Sequence, residues 1–240
     1  MLIVIVPTTE TRSDRNSMPT ALGIEDGRFR IEDVARDLRL DGPHQTIFVM
    51  LQQDVDRWAM ADVVVRANPH AGIVALESVP ATPLFAALMA LDRWNSDDEL
   101  LLVDPLEGVT SHLEEFLAQA RLSRVEGAIA TVASRHPRDS HLLEESGEVS
   151  QVVKGRPVSH KALAGLHWFR RCQDFVEASE RAILRDPLLE NPPSLEEVWN
   201  EMILDGKRVV AKPASPERVP GHPNADANRF AAGLGVRREG

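Results

Sequence analysis

Short apolar runs alternate with helical patterns in the first 133 residues of the chain. The runs predict strands at Leu2–Val6, Gln45–Leu51, Ala71–Leu76, Leu100–Val103 and Ala128–Ala133. Apolar positions three or four residues apart predict helices at Ile31–Leu38, Asp54–Met60, Thr82–Trp94 and Ser111–Leu122, with Thr82 capping the third. Strands that alternate with helices are typical of a mostly parallel sheet with helices on both faces. We therefore expect a three-layer α/β fold.

The pattern changes after Arg135. Two short strands, Ser140–Glu144 and Glu148–Val153, flank the turn dipeptide Ser146-Gly147 and predict a small antiparallel hairpin. Further elements are predicted as a strand at Ala162–Phe169, helices at Gln173–Leu184 and Ser194–Ile203, and a strand at Arg208–Ala211. Ser194 and Glu197 have the spacing of a capping box. We expect one domain over residues 1–212 and an irregular tail over 213–240, with a short helix near Asn228–Ala232.

The run Leu100–Val103 leads directly into Asp104 and Pro105. A short run without polar residues indicates a strand buried on both faces, as at the centre of a parallel sheet. Ligands of open α/β sheets bind at the carboxyl ends of the strands. Because Mg²⁺ prefers carboxylate oxygen, Asp104 and Glu107 are candidate metal ligands. The alternative is that Asp104 caps a helix or closes a turn.

Composition narrows the function classes. A net charge of −10 and a pI near 5.3 argue against non-specific binding to nucleic acid or to an anionic membrane surface. The single cysteine, Cys172, excludes an internal disulfide and a cysteine zinc cluster. The sequence has no apolar stretch approaching the roughly 20 residues of a membrane span, and its N-terminal segment lacks the basic flank of a signal peptide. We expect a cytoplasmic protein.

Several other side chains are candidates for chemistry. His136, His141, His160 and His167 have no helical metal-ligand spacing, so we expect them at the surface or partly buried. Arg170 and Arg171 precede Cys172 and could lower the pKa of its thiol, although a partly buried, inert cysteine is the favoured interpretation. The tryptophans at 58, 94, 168 and 199 lie on apolar faces, which indicates the core or a subunit contact.

A series of motifs follows in a recognisable order. The second half contains Gly127-Ala-Ile-Ala-Thr-Val132, Ser146-Gly-Glu-Val149, Lys154-Gly-Arg-Pro157, Ala162–Phe169 around Gly165, Asp174–Ala178, Val198–Ile203 and Asp205-Gly-Lys207. The first half contains Ile3–Pro7, Gly27–Leu38, Leu76–Val79 and Leu100–Val109. Together they resemble the sugar-nucleotidyltransferases, which join a nucleoside triphosphate to a sugar 1-phosphate and release pyrophosphate. The resemblance implies a Rossmann-like sheet of the nucleotidyltransferase and glycosyltransferase-A type, and a role in nucleotide-sugar biosynthesis.

The resemblance also implies which residues meet the substrates. The implied nucleotide-binding residues are Thr8, Thr9, Arg12, Arg15 and Thr82. The implied acceptor-binding residues are Lys154, Arg156 and Gly165, with Asp104 and Glu107 on Mg²⁺. Arg12 and Asp104 are the residues expected to carry catalysis. A nucleotide and a phosphorylated acceptor are the implied ligands, and a homo- or hetero-oligomer is compatible with the resemblance.

The first loop departs from the family pattern. In the family it is glycine-rich, ends in an arginine and precedes a Lys-Pro pair, so that backbone N–H groups and an ammonium meet the triphosphate. Here it reads Pro7-Thr-Thr-Glu-Thr-Arg12, and no lysine precedes Lys154. Asp104 fits the family's metal position only with a register shift.

Two functions remain open on these residues. The first is Mg²⁺-dependent transfer of a nucleoside monophosphate from a nucleoside triphosphate to a sugar phosphate or a related acceptor, by a divergent nucleotidyltransferase. The second is a catalytically inactive relative that acts as a binding, regulatory or scaffolding subunit, because each lost phosphate contact forfeits about 1.5–3 kcal/mol.

Overall fold

The structure is a computed structural model that describes residues 1–10, 17–90, 95–106, 110–186 and 188–214. Its strands are β1 (Leu2–Pro7), β2 (Ile24–Glu25), β3 (Arg28–Phe29), β4 (His44–Leu51), β5 (Gly72–Leu76), β6 (Glu99–Val103), β7 (Gly127–Ala133), β8 (His141–Glu145), β9 (Glu148–Val153), β10 (Lys161–Phe169) and β11 (Val209–Pro213). Its α-helices are α1 (Arg30–Asp37), α2 (Gln52–Trp58), α3 (Met60–Ala67), α4 (Pro83–Leu88), α5 (Leu113–Leu122), α6 (Cys172–Arg185) and α7 (Leu195–Leu204). Short 3-10 turns lie at Thr20–Leu22 and Thr110–His112.

Most of the strands form one mixed sheet. Its main path, within the described residues, runs β11-β7-β10-β6-β1-β4-β5. Strands β6, β1, β4 and β5 are parallel to one another, and β11 is parallel to β7. Strand β10 is antiparallel to both of its neighbours in this path, β6 and β7. The β8–β9 hairpin attaches to β10, and β2 and β3 form a separate antiparallel pair.

Helices cover both faces of the sheet. Side chains from α1, α3 and α5 pack on one face, and side chains from α4, α6 and α7 pack on the other. The alternation is clear in β1, where Val4 and Val6 face the first core while Ile3 and Ile5 face the second. The predicted three-layer α/β fold with a small antiparallel hairpin is confirmed. Strand β6, which contains the run Leu100–Val103, lies at the centre of the path, as predicted.

Some local predictions were wrong. The predicted short helix at Asp54–Met60 is two helices, α2 and α3, which meet at Ala59 with a left-handed φ of 51°. Helix α4 begins after Thr82, but the Thr82 side chain makes no capping hydrogen bond. Residues 91–94, in which the same predicted helix ends, lie outside the described residues, as does the predicted helix of the tail.

The histidines and tryptophans also differ in part from expectation. His141 and His167 are buried, at 0% and 5% exposure, although we expected surface or partly buried positions. Both lie on strands of the sheet, where neighbouring elements cover them. Trp168 and Trp199 are fully buried, which confirms their assignment to the core. Trp94 lies outside the described residues.

Candidate functional site

A cleft of about 470 Å³ opens at the carboxyl ends of the central strands. Thr8 and Thr9 follow β1, and Asp104 follows β6. Because β1 and β6 are parallel, their carboxyl ends lie at the same edge of the sheet. Of the metal- and substrate-binding residues that the sequence implied, those that line this cleft are Thr8, Thr9, Thr82, Asp104, Lys154 and Gly165. Arg12, Arg15 and Glu107 lie outside the described residues.

Asp104 forms a turn at the end of β6. Its carboxylate Oδ1 accepts a hydrogen bond from the Leu106 backbone N–H at 2.8 Å, and its own N–H donates to the Gly165 carbonyl at 2.8 Å. This geometry is the turn closure that we gave as the alternative for Asp104. It also fixes the carboxylate at the wall of the cleft, so a turn residue and a metal ligand are compatible roles.

The acidic residues at the cleft can be compared with the ligands that Mg²⁺ requires. Within the described residues, no three histidine, cysteine or acidic side chains come together as a metal site. Protein-bound Mg²⁺ commonly takes only one or two carboxylates, and substrate phosphates and water complete its octahedral shell. A cleft with Asp104 at its wall fits that mode of binding, and Glu107 is the further candidate from the sequence.

The loop after β1 uses its polar groups internally. Thr8 donates from its hydroxyl to the Val49 carbonyl at 2.9 Å. The Glu10 carboxylate accepts the Thr20 backbone N–H at 2.7 Å. The hydroxyl of Thr9 is buried and has no hydrogen-bond partner among the described residues. Thr9 is therefore the residue in the described part of this loop whose hydroxyl group lacks a partner.

Thr82 joins two segments of the cleft wall. Its hydroxyl donates to the Pro193 carbonyl at 2.8 Å, across 111 positions in sequence. This bond ties the start of α4 to the segment before α7, which explains why the side chain does not cap its own helix.

The opposite wall comes from the antiparallel half of the sheet. Lys154 lines the cleft, with its Nζ 3.5 Å from the Ser194 hydroxyl. Gly165 has a φ of 71° and lies where the register of β10 against β7 shifts. Arg156 is exposed and is not among the cleft-lining residues, whereas Arg138 is among them. We had not predicted Arg138, because nothing in its local sequence distinguishes it from other loop arginines.

A partly buried polar network around Glu196 was also missed. The Ser140 hydroxyl donates to one carboxylate oxygen of Glu196, and the Ser194 hydroxyl makes a hydrogen-bonding contact with the other. Burial raises the pKa of Glu196, but these hydroxyl groups and the charge of Lys154 outweigh it, so that the net pKa lies below its usual value. Glu196 is therefore ionised at neutral pH. Its partner Ser140 lies 56 positions away, a contact that a single sequence does not display.

His167 lies beside this carboxylate. The Trp199 indole N–H donates to His167 Nδ1 at 3.0 Å, so the neutral ring carries its proton on Nε2. Burial lowers the pKa of His167 to about 4, although the charge of Glu196 acts in the opposite direction. The ring is therefore neutral at physiological pH. Local sequence did not distinguish His167, because β10 is buried on both faces and has no alternation of polar and apolar positions.

Cys172 is not a reactive thiol in this structure. It is 1% exposed, and burial raises the pKa of its thiol to about 12.

Among the described residues, no helix is long and apolar enough to cross a membrane.

Comparisons with known proteins identify the fold. No protein-family model and no curated protein sequence matches the chain. Solved structures do match it, among them a nucleoside-diphosphate-sugar pyrophosphorylase from Vibrio cholerae RC9, with a TM-score of 0.69 and 14% identity, covering 88% of this chain and 91% of that one. The inositol-1-phosphate CTP transferase from T. maritima matches with a TM-score of 0.66 and 13% identity, covering 96% and 94%. A CMP:2-keto-3-deoxy-manno-octonic acid synthetase complexed with CTP matches with a TM-score of 0.64 and 12% identity, covering 96% and 97%. The chain therefore has the fold of these enzymes.

Proposed function

We propose that this protein transfers a nucleoside monophosphate from a nucleoside triphosphate to a phosphorylated acceptor and releases pyrophosphate. The observation that carries the proposal is the cleft at the carboxyl ends of β1 and β6, which brings the loop after β1, Asp104 and Lys154 together in one cavity. The similarity in fold to enzymes named for nucleotidyl transfer over nearly the whole chain supports it.

The reaction needs positioning and charge neutralisation more than proton transfer. An ionised oxygen of the acceptor phosphate attacks the α-phosphorus of the triphosphate, a new P–O bond forms, and the bond to the leaving pyrophosphate breaks. Because the nucleophile is already ionised, no general base is required. Bound Mg²⁺, held by Asp104 with Glu107, would neutralise phosphate charge.

We assign the chain's own residues to the two substrates. Thr8, Thr9, Arg12 and Arg15 would hold the triphosphate, and Thr82 would hold the loop that contacts the base. Lys154 and Gly165 would hold the acceptor phosphate from the opposite wall. We add Arg138 to the acceptor side because it lines the cleft, which Arg156 does not. Arg156 remains a prediction from the sequence alone.

One observation favours the second candidate function, a catalytically inactive binding, regulatory or scaffolding subunit. Four carboxylates but only two positively charged side chains line the described part of the cleft. The carboxylates are Glu10, Asp104, Asp139 and Glu196, and the positive side chains are Arg138 and Lys154. An excess of negative charge opposes the entry of a triphosphate unless cations accompany it. Turnover by the isolated protein is therefore expected to be weak and to depend strictly on a divalent cation.

The test is pyrophosphate release from a panel of nucleoside triphosphates with Mg²⁺ and phosphorylated acceptors. We expect Asp104→Asn to abolish release and to leave the melting temperature nearly unchanged, because the asparagine oxygen can still accept the Leu106 N–H. Asp97→Asn is the matched control, since Asp97 is exposed just before the amino end of β6. Unchanged release in Asp104→Asn would contradict the assigned role.

Thermal shift separates the two candidate functions. A ligand that binds only the folded protein stabilises it by about 2.7 kcal/mol at a hundredfold excess over Kd. Stabilisation by a triphosphate together with pyrophosphate release supports the enzyme. Stabilisation by a triphosphate without pyrophosphate release, whichever acceptor is added, supports an inactive subunit that retains the triphosphate site. No stabilisation by any triphosphate contradicts the assignment of the loop after β1 to the triphosphate.

A further inference from the structure

Strand β5 ends the main sheet on one side and leaves an uncovered outer edge. Within the described residues its strand partner is β4, on its inner side. Among these residues, no further backbone hydrogen bond reaches β5 from its outer side. An edge of this kind presents a row of N–H and C=O groups that another strand can pair with.

The strands at the two ends of the sheet differ in sequence. β11, at the opposite end, contains Lys212 and Pro213. A lysine resists burial between strands and a proline has no N–H to donate, so both residues discourage the addition of a further strand. β5 reads Gly-Ile-Val-Ala-Leu over Gly72–Leu76, with no charged residue and no proline, and its register on β4 is continuous. Protection against a further strand is therefore present in β11 and missing in β5.

The side chains of β5 are complementary to themselves in an antiparallel pair. Residues that lie opposite each other in such a pair point to the same face of the sheet, so a strand that pairs with its own copy is centred on a residue. Val74 is the central residue of β5. Pairing about Val74 places Gly72 opposite Leu76 on one face of the sheet. On the other face it places Ile73 opposite Ala75. Each of these pairs joins a small side chain to a large one, as close packing across two strands requires.

The charges at the two ends of β5 have opposite signs. Arg66, near the end of α3, lies before the strand and is exposed, and Glu77 directly follows the strand and is also exposed. An antiparallel copy brings the carboxyl end of one β5 to the amino end of the other. Glu77 of each copy then lies toward the Arg66 end of its partner, whereas a parallel copy would bring like charges together. Complementary charges of this kind favour the antiparallel orientation.

We propose that two copies of this chain pair through β5, antiparallel and about a two-fold axis at Val74, so that their sheets form one continuous sheet. A two-fold axis uses the same surface on both copies, as a closed dimer requires. The partner is a second copy rather than an unrelated peptide, because the match in side-chain size and in end charge arises only when β5 meets itself. The interface adjoins the cleft, since Val79, three residues beyond Leu76, lines it.

The experiment measures the mass of the full chain by sedimentation equilibrium over a series of protein concentrations. We expect a reversible equilibrium between monomer and dimer. Ala75→Lys should raise the dissociation constant of the dimer at least about tenfold, because a lysine would lie opposite Ile73 in both symmetric halves of the pair. Ala75 is exposed in the single copy, so the lysine leaves the fold of the monomer intact.

Leu122→Lys is the matched control. It adds the same charge at an apolar position that is 81% exposed, at the end of a helix that packs beside β7 and β11. The control should dimerise as the wild type does. A wild type that is monomeric at every concentration overturns the proposal, and so does a dimer that Ala75→Lys leaves as tight as before.

A second measurement uses the wild type alone and therefore does not depend on the folding of a variant. Hydrogen exchange should show that the amides of β5 facing away from β4 exchange more slowly as the protein concentration rises, because pairing covers them. The amides of β11 should exchange at the same rate throughout. Exchange in β5 that does not change with concentration overturns the proposal even where a dimer forms, since the contact then lies elsewhere on the chain.

Discussion

Gly127 shows how a single residue supports the candidate site. It begins β7, and a Cβ built on it would lie 2.5 Å from Cζ3 and 3.0 Å from Cη2 of Trp199. Trp199 is the residue that fixes the tautomer of His167. The absence of a side chain at Gly127 is therefore what allows the indole to reach the imidazole.

We predict that Gly127→Ala destabilises the protein by about 1–3 kcal/mol, the usual cost of overpacking a core. For a domain of this size each kcal/mol lowers Tm by about 2–4 °C. Gly72→Ala is the control, because a Cβ there would meet nothing closer than 3.7 Å. Thermal unfolding of both variants checks the difference. Equal melting temperatures for Gly127→Ala and the wild type would contradict the packing described.

The sequence predicted some of these residues and missed others for a physical reason. The position of Asp104 at the cleft could be predicted, because an apolar run that stops at an acid and a proline is a local signal for the end of a buried strand. The roles of His167 and Gly127 both depend on Trp199, which lies 32 positions from the first and 72 from the second. Such contacts are created by the packing of a helix on a sheet, which a single sequence does not display.

Helices and strands were likewise predicted well only where a local sequence signal marks them. The β8–β9 hairpin was predicted almost to the residue, because Ser146 and Gly147 form its turn with φ values of 54° and 85°. The break between α2 and α3 was missed, because Ala59 adopts a left-handed φ without glycine or asparagine to signal it. The capping box at the start of α7 is confirmed.

Helix α6 depends on a buried acid in its first turn. Asp174 is 2% exposed and accepts hydrogen bonds from Arg171 at 2.7 Å and Lys207 at 3.1 Å. Burial raises the pKa of Asp174, but these two cations outweigh it and hold the pKa below its ordinary value of 3.8. The folded protein therefore binds fewer protons than the unfolded chain at this position, and stability is lost as the pH falls through the lowered pKa.

We predict that Asp174→Asn lowers the unfolding free energy at pH 7 by about 1.5–3 kcal/mol, the range for hydrogen bonds to a charged group. The gap between the wild type and the variant should begin to shrink below about pH 4, the unfolded-state pKa of aspartate, and close below the lowered pKa of Asp174, where the wild-type carboxylate is protonated as well. Urea unfolding over this pH range measures both effects. Asp62→Asn, an exposed acid in the first turn of α3, should have little effect at any pH. A gap that stays constant in acid would refute the ion-pair explanation.

At the scale of the whole molecule, β10 unites two halves. It lies between β6, the last strand of the parallel group, and β7, which is paired with β11. The loop after β1 belongs to the first half, and Lys154 and Glu196 belong to the second. The cleft exists because β10 holds these halves side by side. The alternation of strands and helices predicted the fold, but it could not predict which side chains of the two halves meet in the cleft.

The described core ends with β11, whose Val209 and Val210 are buried and whose continuation, Ala214, donates its N–H to the Thr131 carbonyl at 2.9 Å. We propose accordingly that the residues up to this point form one domain.

A chain truncated after Ala214 should melt within a few degrees of the full protein and should bind triphosphate equally well. Truncation after Lys207 removes the strand paired with β7, exposes Trp199 and Gly127 from that side, and should abolish cooperative unfolding. Calorimetry of the two truncated chains beside the full protein measures the contrast. A large loss of stability in the longer truncation would show that the segment from residue 215 onward belongs to the folded domain.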